Sequence, residues 1–213
     1  MMMDFYEMTM SYGYFHQPNR DVRVAFDLFF RSVPDKGGYA IFAGLQHVIE
    51  FVENLSFSDA DIAYFRKQNL FSEEFLDFLR GFRFRGDIYA MPEGTIIYPN
   101  EPLLTIVAPI IDAQLVETAI LAQINHQSLV ATKASRIVRA AEGRKVADFG
   151  ARRAHNMDAA TYGARAAYIG GIDMTATVSA GQQFNIPISG TMAHSWVMFF
   201  KDEYTAFKQY AEI

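Results

Sequence analysis

Residues Lys145–Phe200 read KVADFGARRAHNMDAATYGARAAYIGGIDMTATVSAGQQFNIPISGTMAHSWVMFF, and this stretch decides the fold class. Three short apolar runs, Lys145–Phe149, Asp173–Val178 and Ile186–Gly190, each lead into a polar, glycine-bearing or basic segment. Between the first two lies a helical pattern over Asp158–Ile169, with Asp158 as the expected N-cap and Gly170–Gly171 as the stop. Strands alternating with helices predict a parallel, covered sheet or a barrel. Such folds carry their reactive groups just past the C-terminal ends of the strands. Arg152, Arg153 and His155 then follow one strand, and Thr191 and His194 follow another.

Upstream the pattern differs. Met3–Tyr14 has apolar residues at helical spacing, with Tyr6, Met10 and Tyr14 predicted to share a face. Val22–Phe30 reads as a strand ended by a turn over Pro34–Gly38. Helices are expected over Tyr39–Leu55, Ser58–Gln68 and Ser72–Phe82. Ser58 and Ser72 are their caps in the latter two, and only the first has an acidic residue, Asp61, to complete a capping box. Gly86–Pro109 contains three β-runs separated by Pro-Glu-Gly and Pro-Asn-Glu-Pro turns, which predicts an antiparallel meander. Asp112 is the expected cap of a helical stretch from Ala113 to Ala141, split near Asn125-His126-Gln127 and closed by Gly143. The expectation is an α/β protein. Residues 1–112 form an α+β N-terminal domain with the meander, and residues 113–213 form the first part of an α/β barrel.

A chain of 213 residues, 51% hydrophobic, can bury a sizeable core, and a net charge of -5 argues against a nucleic-acid surface. The absence of cysteine excludes disulfides and thiolate metal sites and fits a reducing compartment. The N-terminal MMMDFYEMTMSYGYF lacks a basic n-region and a cleavage site, and no apolar run is long enough to span a bilayer. A soluble, cytoplasmic chain with no membrane partner is expected.

Chemistry concentrates at two motifs. A neutral imidazole at His194 can attack a phosphoryl group, and Gly190, Thr191 and Ala193 let phosphates approach the backbone. The structural alternative is a rim histidine bonded to backbone. Arg152 and Arg153 carry guanidinium forks suited to phosphate or carboxylate, and in extended chain only one of an adjacent pair can face a site. Phe149 and Tyr6 could stack on a planar ring, against the alternative of core packing in a chain that is 15% aromatic. Arg165 reads as a structural pair. Lys133 and Arg136 read as a solvated face or a basic strip, and His16, His47 and His126 as packing or surface. No spacing supports a metal site.

Taken in order, MDFYEMTMSYGYF, YAIFAGLQ, FRFRGDIYAMPEGTIIYPNEPLL, INHQSLVATKASRIV, DFGARRAHNMDAATYGARAAYIGG and GTMAHSWVMFF resemble the nicotinate phosphoribosyltransferase family over essentially the whole chain. The resemblance implies a type II phosphoribosyltransferase fold with an irregular α/β barrel and a site at a subunit interface. It implies an ATP-coupled, magnesium-dependent joining of nicotinate to phosphoribosyl pyrophosphate in NAD salvage, in a homodimer or with a partner chain completing the barrel. By position it makes His194 the phosphorylated histidine and Gly190 a substrate-site glycine, with Thr191 beside it. It makes Phe149 the aromatic on one face of the pyridine and Tyr6 the aromatic on the other, from the partner subunit. It places Arg152 and Arg153 near the base and the pyrophosphate, and favours Arg152 for the site. Family members continue well past the position of Ile213, with the magnesium ligand and 5′-phosphate cradle in that later part. A fragment, a split subunit or a truncated product would each look like this chain.

Three other readings stand beside it. One is a truncated non-catalytic homologue or partner subunit. Another is a nicotinamide-using phosphoribosyltransferase, although such relatives place a carboxylate where Ala176 falls in this register, which favours nicotinate. The last is a Schiff-base lyase on Lys145, which starts its strand and so faces the wrong end of a barrel.

Overall fold

The computed structural model describes residues 2–33 and 37–213, so most of the turn expected over Pro34–Gly38, namely Pro34–Lys36, lies outside the described residues. The first strand, β1 (Arg23–Leu28), alternates exposed and half-buried residues as a one-sided strand should. It pairs antiparallel with β5 (Leu104–Pro109), Phe26 opposite Ile106, and β5 pairs on its other side with β3 (Asp87–Ala90).

The predicted meander is corrected by the middle run. Strand β4 (Ile96–Ile97) leaves this sheet and pairs with β2 (Ala40–Ile41), Ala40 opposite Ile97. The Pro-Glu-Gly turn redirects it. Gly94 takes a left-handed φ of 87°, and its N–H donates to the Phe42 carbonyl at 2.8 Å while Phe42 N–H reaches Thr95 O at 2.9 Å.

The helix expected over Tyr39–Leu55 is shorter for the same tertiary reason. It runs as α2 (Leu45–Asn54), because Gly44 sits at φ 109° against the next long helix, where a Cβ would lie 2.8 Å from the Gln123 carbonyl oxygen. Helices α3 (Asp59–Lys67) and α4 (Glu73–Arg80) start at Ser58 and Ser72 as predicted. Ser58 and Asp61 close the capping box; at the second start the slot holds Phe75, which is buried instead. Phe75 has Tyr12, Phe15, Phe71 and Phe78 around it at ring-centroid distances of 5.1, 5.3, 5.6 and 6.1 Å. Fully buried, Phe75 contributes about 1.5–3 kcal/mol by leaving water, and the half-buried rings around it less.

Helix α1 (Phe5–Phe15) turns inward by Glu7, Met8 and Ser11, so the predicted Tyr6–Met10 side faces out. Glu7 is drawn in by a tertiary hydrogen bond: its Oε1 accepts the Thr118 N–H at 2.6 Å. The long helical stretch also breaks elsewhere than predicted. It divides into α5 (Ile110–Gln114) and α6 (Glu117–Ala140), and α6 runs unbroken through Asn125-His126-Gln127. The apolar pattern lapses there because Gln127 is buried as a hydrogen-bond partner of His47. Asp112 caps nothing. It lies inside α5, fully buried, and accepts the Arg85 backbone N–H and guanidinium.

Helix α6 also backs the second half of the chain. Small residues bring it against α7 (Met157–Ile169), and a Cβ on Gly170 would meet Ala131 O at 2.4 Å. The α7 cap is Asn156, whose Oδ1 accepts the Ala159 N–H at 2.7 Å, rather than the predicted Asp158. Flanking α7 are β6 (Ala147–Asp148) and β7 (Met174–Thr175), parallel as predicted. After β7 come α8 (Val178–Phe184), a parallel bridge from Ile188 to Thr175, α9 (His194–Phe199) and α10 (Glu203–Ala211). Ile188 is 62% exposed, so this parallel sheet has an open edge. No helix among the described residues is long and apolar enough to cross a membrane.

Candidate active site

Three parallel segments end side by side. Ala176 N–H donates to Asp148 O at 2.8 Å, Thr175 N–H to Pro187 O at 3.0 Å, and Ser189 N–H to Thr175 O at 3.0 Å. The residues that follow each strand therefore converge on one rim. They surround an open cleft of about 690 Å³ lined by Phe149, Arg152, Ala176, Gly190, Thr191 and His194, among others.

Five residues singled out from sequence thus come together. Phe149 is 45% exposed and presents its ring at the cleft. His194 opens α9 on the exposed side, and its ring makes no hydrogen bond to the described residues, which leaves its lone pair available. Gly190 has nothing within 4 Å of where a Cβ would stand, so its surroundings are open.

The two arginines separate, for a different reason than alternation. Ala151–Arg153 form a single 3-10 turn, closed by Arg153 N–H to Gly150 O at 2.8 Å. Arg152 lines the His194 cleft, whereas Arg153 is carried to a neighbouring cavity of about 340 Å³ with His126 and His155. Within this chain the two arginines therefore line different cavities, as the expectation that only one of the pair can face a site allows. Neither guanidinium has a carboxylate partner among the described residues, which suits an anion. Arg165, by contrast, is held by Glu93 at 2.6 Å, the structural pair expected of it.

Tyr6 lines a third cavity, of about 430 Å³, with Phe29, Phe30 and Arg31. Partial desolvation pushes its phenol up to about 12, helped by a hydrogen bond to Glu117. Within one chain it does not share the Phe149 cleft. Lys133 and Arg136 do not line that cleft either, and Lys145 precedes β6 at the end remote from it. Among the described residues no three His, Asp or Glu side chains form a metal cluster.

Sequence reasoning missed a polar junction that joins the start of α2 to α7. The carboxylate of Glu93, in what reads as a plain turn, accepts the N–H groups of Gly44 at 2.6 Å and Leu45 at 3.1 Å besides Arg165. Buried His47 bonds Gln127 through Nδ1 at 3.1 Å and lies 4.1 Å from the Tyr162 ring. No local pattern marks such residues, since their partners lie on other elements.

The mixed helix-and-sheet fold matches solved phosphoribosyltransferase structures. It superposes on the crystal structure of human nicotinic acid phosphoribosyltransferase with a TM-score of 0.87 and 33% identity, covering 94% of this chain and 41% of that one. Against nicotinate-nucleotide pyrophosphorylase from Pyrococcus furiosus the TM-score is 0.79 at 28% identity, covering 99% and 46%. The family model for the nicotinate phosphoribosyltransferase (NAPRTase) N-terminal domain matches residues 1–125, and that for the nicotinate phosphoribosyltransferase (NAPRTase) family matches residues 144–212. The chain belongs to the nicotinate phosphoribosyltransferase family. It is 47% identical to nicotinate phosphoribosyltransferase of Bacillus subtilis, over 98% of this chain and 43% of the relative. It is 49% identical to a nicotinate phosphoribosyltransferase of Mycobacterium tuberculosis, over 99% and 45%. The chain thus spans less than half the length of these relatives.

Proposed function

We propose that this chain supplies the nicotinate-binding and phosphohistidine part of a nicotinate phosphoribosyltransferase. That enzyme forms nicotinate mononucleotide from nicotinate and phosphoribosyl pyrophosphate, with ATP hydrolysis, in NAD salvage in the cytoplasm. The supporting observation is that Phe149, Arg152 and His194 line one cleft. Phe149 stacks on the pyridine, gaining about 0.5–1.5 kcal/mol beyond area burial. The Arg152 fork takes the carboxylate or the departing pyrophosphate, and stabilises charge as the ribose anomeric carbon is displaced. Small Ala176 leaves the pyridine substituent room without a carboxylate beside it, which favours nicotinate over nicotinamide. The relatives' names favour it too, as they do catalysis over a non-catalytic role. Nothing supports the Schiff-base alternative.

In the ATP step a His194 ring nitrogen attacks the γ-phosphorus. The bond to the β–γ bridging oxygen breaks, ADP leaves with its electron pair, and later hydrolysis returns free imidazole. Among the described residues no three His, Asp or Glu side chains gather to hold a magnesium ion, and the roles above rest on the chain's own side chains. In the dimer that completes the site, Tyr6 of the partner subunit covers the other face of the pyridine.

The test incubates the complete enzyme that carries this chain with γ-labelled ATP, nicotinate and phosphoribosyl pyrophosphate. The expected result is acid-labile, base-stable label on the peptide holding Gly190–Trp196, and product that depends on nicotinate rather than nicotinamide. Label elsewhere, or undiminished ATP hydrolysis in His194→Ala, removes His194 from this role.

A further inference from the structure

Asp148 ends β6, and its carboxylate bonds in two directions. Oδ1 accepts the Gly150 backbone N–H at 2.9 Å, and Oδ2 accepts the Thr175 hydroxyl at 2.9 Å. The Thr175 oxygen in turn accepts the Thr177 N–H at 3.0 Å. Thr175 is 1% exposed and is the register partner of Asp148 on β7. A continuous hydrogen-bond chain therefore crosses from one strand exit to the next, beneath the cleft.

What hangs from its two ends decides its meaning. Phe149 and Arg152 lie at the Gly150 end, and Ala176 and Val178 at the Thr177 end; all four line the His194 cleft, whereas Asp148 and Thr175 do not. Strands β6 and β7 are two residues each, so the backbone ladder alone does little to hold their exits in register. Gly150 belongs to the device: a Cβ there would stand 3.0 Å from Asp148 Oδ1, and its carbonyl starts the turn that carries Arg152 to the cleft.

We propose that Asp148 and Thr175 are a positioning pair that sets the spacing between the Phe149–Arg152 wall and the Ala176–Val178 wall, and through it the fit of a planar aromatic acid. This rests on the reading that nicotinate occupies the cleft. Thr175→Val removes the hydroxyl that both accepts and donates. It leaves Asp148 Oδ2 and the Thr177 N–H without partners while keeping side-chain volume. Thr175→Ser keeps the hydroxyl. Thr132→Val is the control, since Thr132 is equally buried, accepts the Ile41 N–H at 2.8 Å and donates to Ser128 O at 2.6 Å, away from the cleft.

Nicotinate binding to the 213-residue chain is measured by calorimetry for the wild type and the three variants, with amide hydrogen exchange on the ligand-free proteins. The expected result is affinity within about twofold of wild type for Thr175→Ser and Thr132→Val, and at least about tenfold weaker for Thr175→Val. Exchange at the Gly150 and Thr177 amides should quicken by about tenfold in Thr175→Val only. Asp148→Asn, whose amide oxygen can still accept from Gly150, should quicken Thr177 more than Gly150. Equal loss of affinity in Thr132→Val overturns the proposal, because a general loss of stability would then explain it. A wild type that binds no nicotinate removes the reading of the cleft. The pair is then judged on exchange alone, and unchanged Gly150 and Thr177 amides in Thr175→Val overturn it.

Discussion

Arg165 of α7 and Glu93, in the turn between β3 and β4, form a two-pronged ion pair, Nη1 to Oε1 at 2.9 Å and Nη2 to Oε2 at 2.6 Å. Both side chains are largely buried, and Glu93 also holds the start of α2 through the Gly44 and Leu45 N–H groups. One carboxylate thus ties together three elements that are distant in sequence.

Removing one partner of this pair should be costly, because the other is left charged and under-solvated. Arg165→Ala is expected to destabilise by about 3–5 kcal/mol. Burial pushes the Glu93 carboxyl up, but the Arg165 fork and the two N–H donors outweigh it and hold the group below its ordinary value. A depressed carboxyl contributes stability that is present above the unfolded value of about 4.3 and lost as pH falls through the folded one. Urea midpoints between pH 3 and 7 should therefore fall more steeply in acid for wild type than for Glu93→Gln. Parallel curves would count against the pair.

His47 predicts a second pH effect at milder acidity. Burial lowers its pKa, and the nearby Arg165 charge lowers it further, against opposing contributions from Glu50, Gln127 and Glu93. Its Nε2 has no partner while the ring packs on Tyr162 and Phe184, so the folded state keeps it neutral. The unfolded chain takes up a proton near pH 6.5 and the folded one only lower. Stability is then greatest above that pH and declines as pH drops below it. His47→Gln should flatten the decline between pH 7 and 5, as read by thermal midpoints.

Arg152 and Arg153 offer a clean contrast. Arg152→Ala is expected to weaken pyrophosphate binding about tenfold or more, and Arg152→Lys to recover only part of it, since a point charge lacks the fork. Arg153→Ala should stay within about threefold, because its side chain lines the other cavity. Calorimetric titration with pyrophosphate checks both. A reversed order would mean that Arg153 faces the anion.

Gly44 tests the backbone argument. At φ 109°, with the Gln123 carbonyl oxygen 2.8 Å from where a Cβ would sit, Gly44→Ala should cost more than the usual ~1 kcal/mol left-handed penalty. Gly38→Ala, with nothing within 4 Å, is the control and should change the denaturation midpoint little.

Local chemistry was legible wherever its partners were near in sequence. Ser58 and Asp61 announce a helix start because each reaches the other's backbone within three residues. GTMAHS announces an open segment beyond a strand, and Gly190, Thr191 and His194 do line one cleft there. The parallel order of β6, β7 and Ile188 followed from strand–helix alternation, and placed Phe149, Arg152 and His194 on one rim. Only tertiary contacts decided the rest. Strand β4 left the predicted meander because Gly94 and Thr95 found Phe42, about fifty residues away. The α6 helix stayed whole at Gln127 because His47 satisfied the amide. The 3-10 turn separated Arg153 from Arg152. Glu7, Glu93 and Asp148 look like ordinary acids in the string of letters. A side chain's local spacing records the helix or strand that carries it, but a hydrogen bond to a distant residue leaves no period behind.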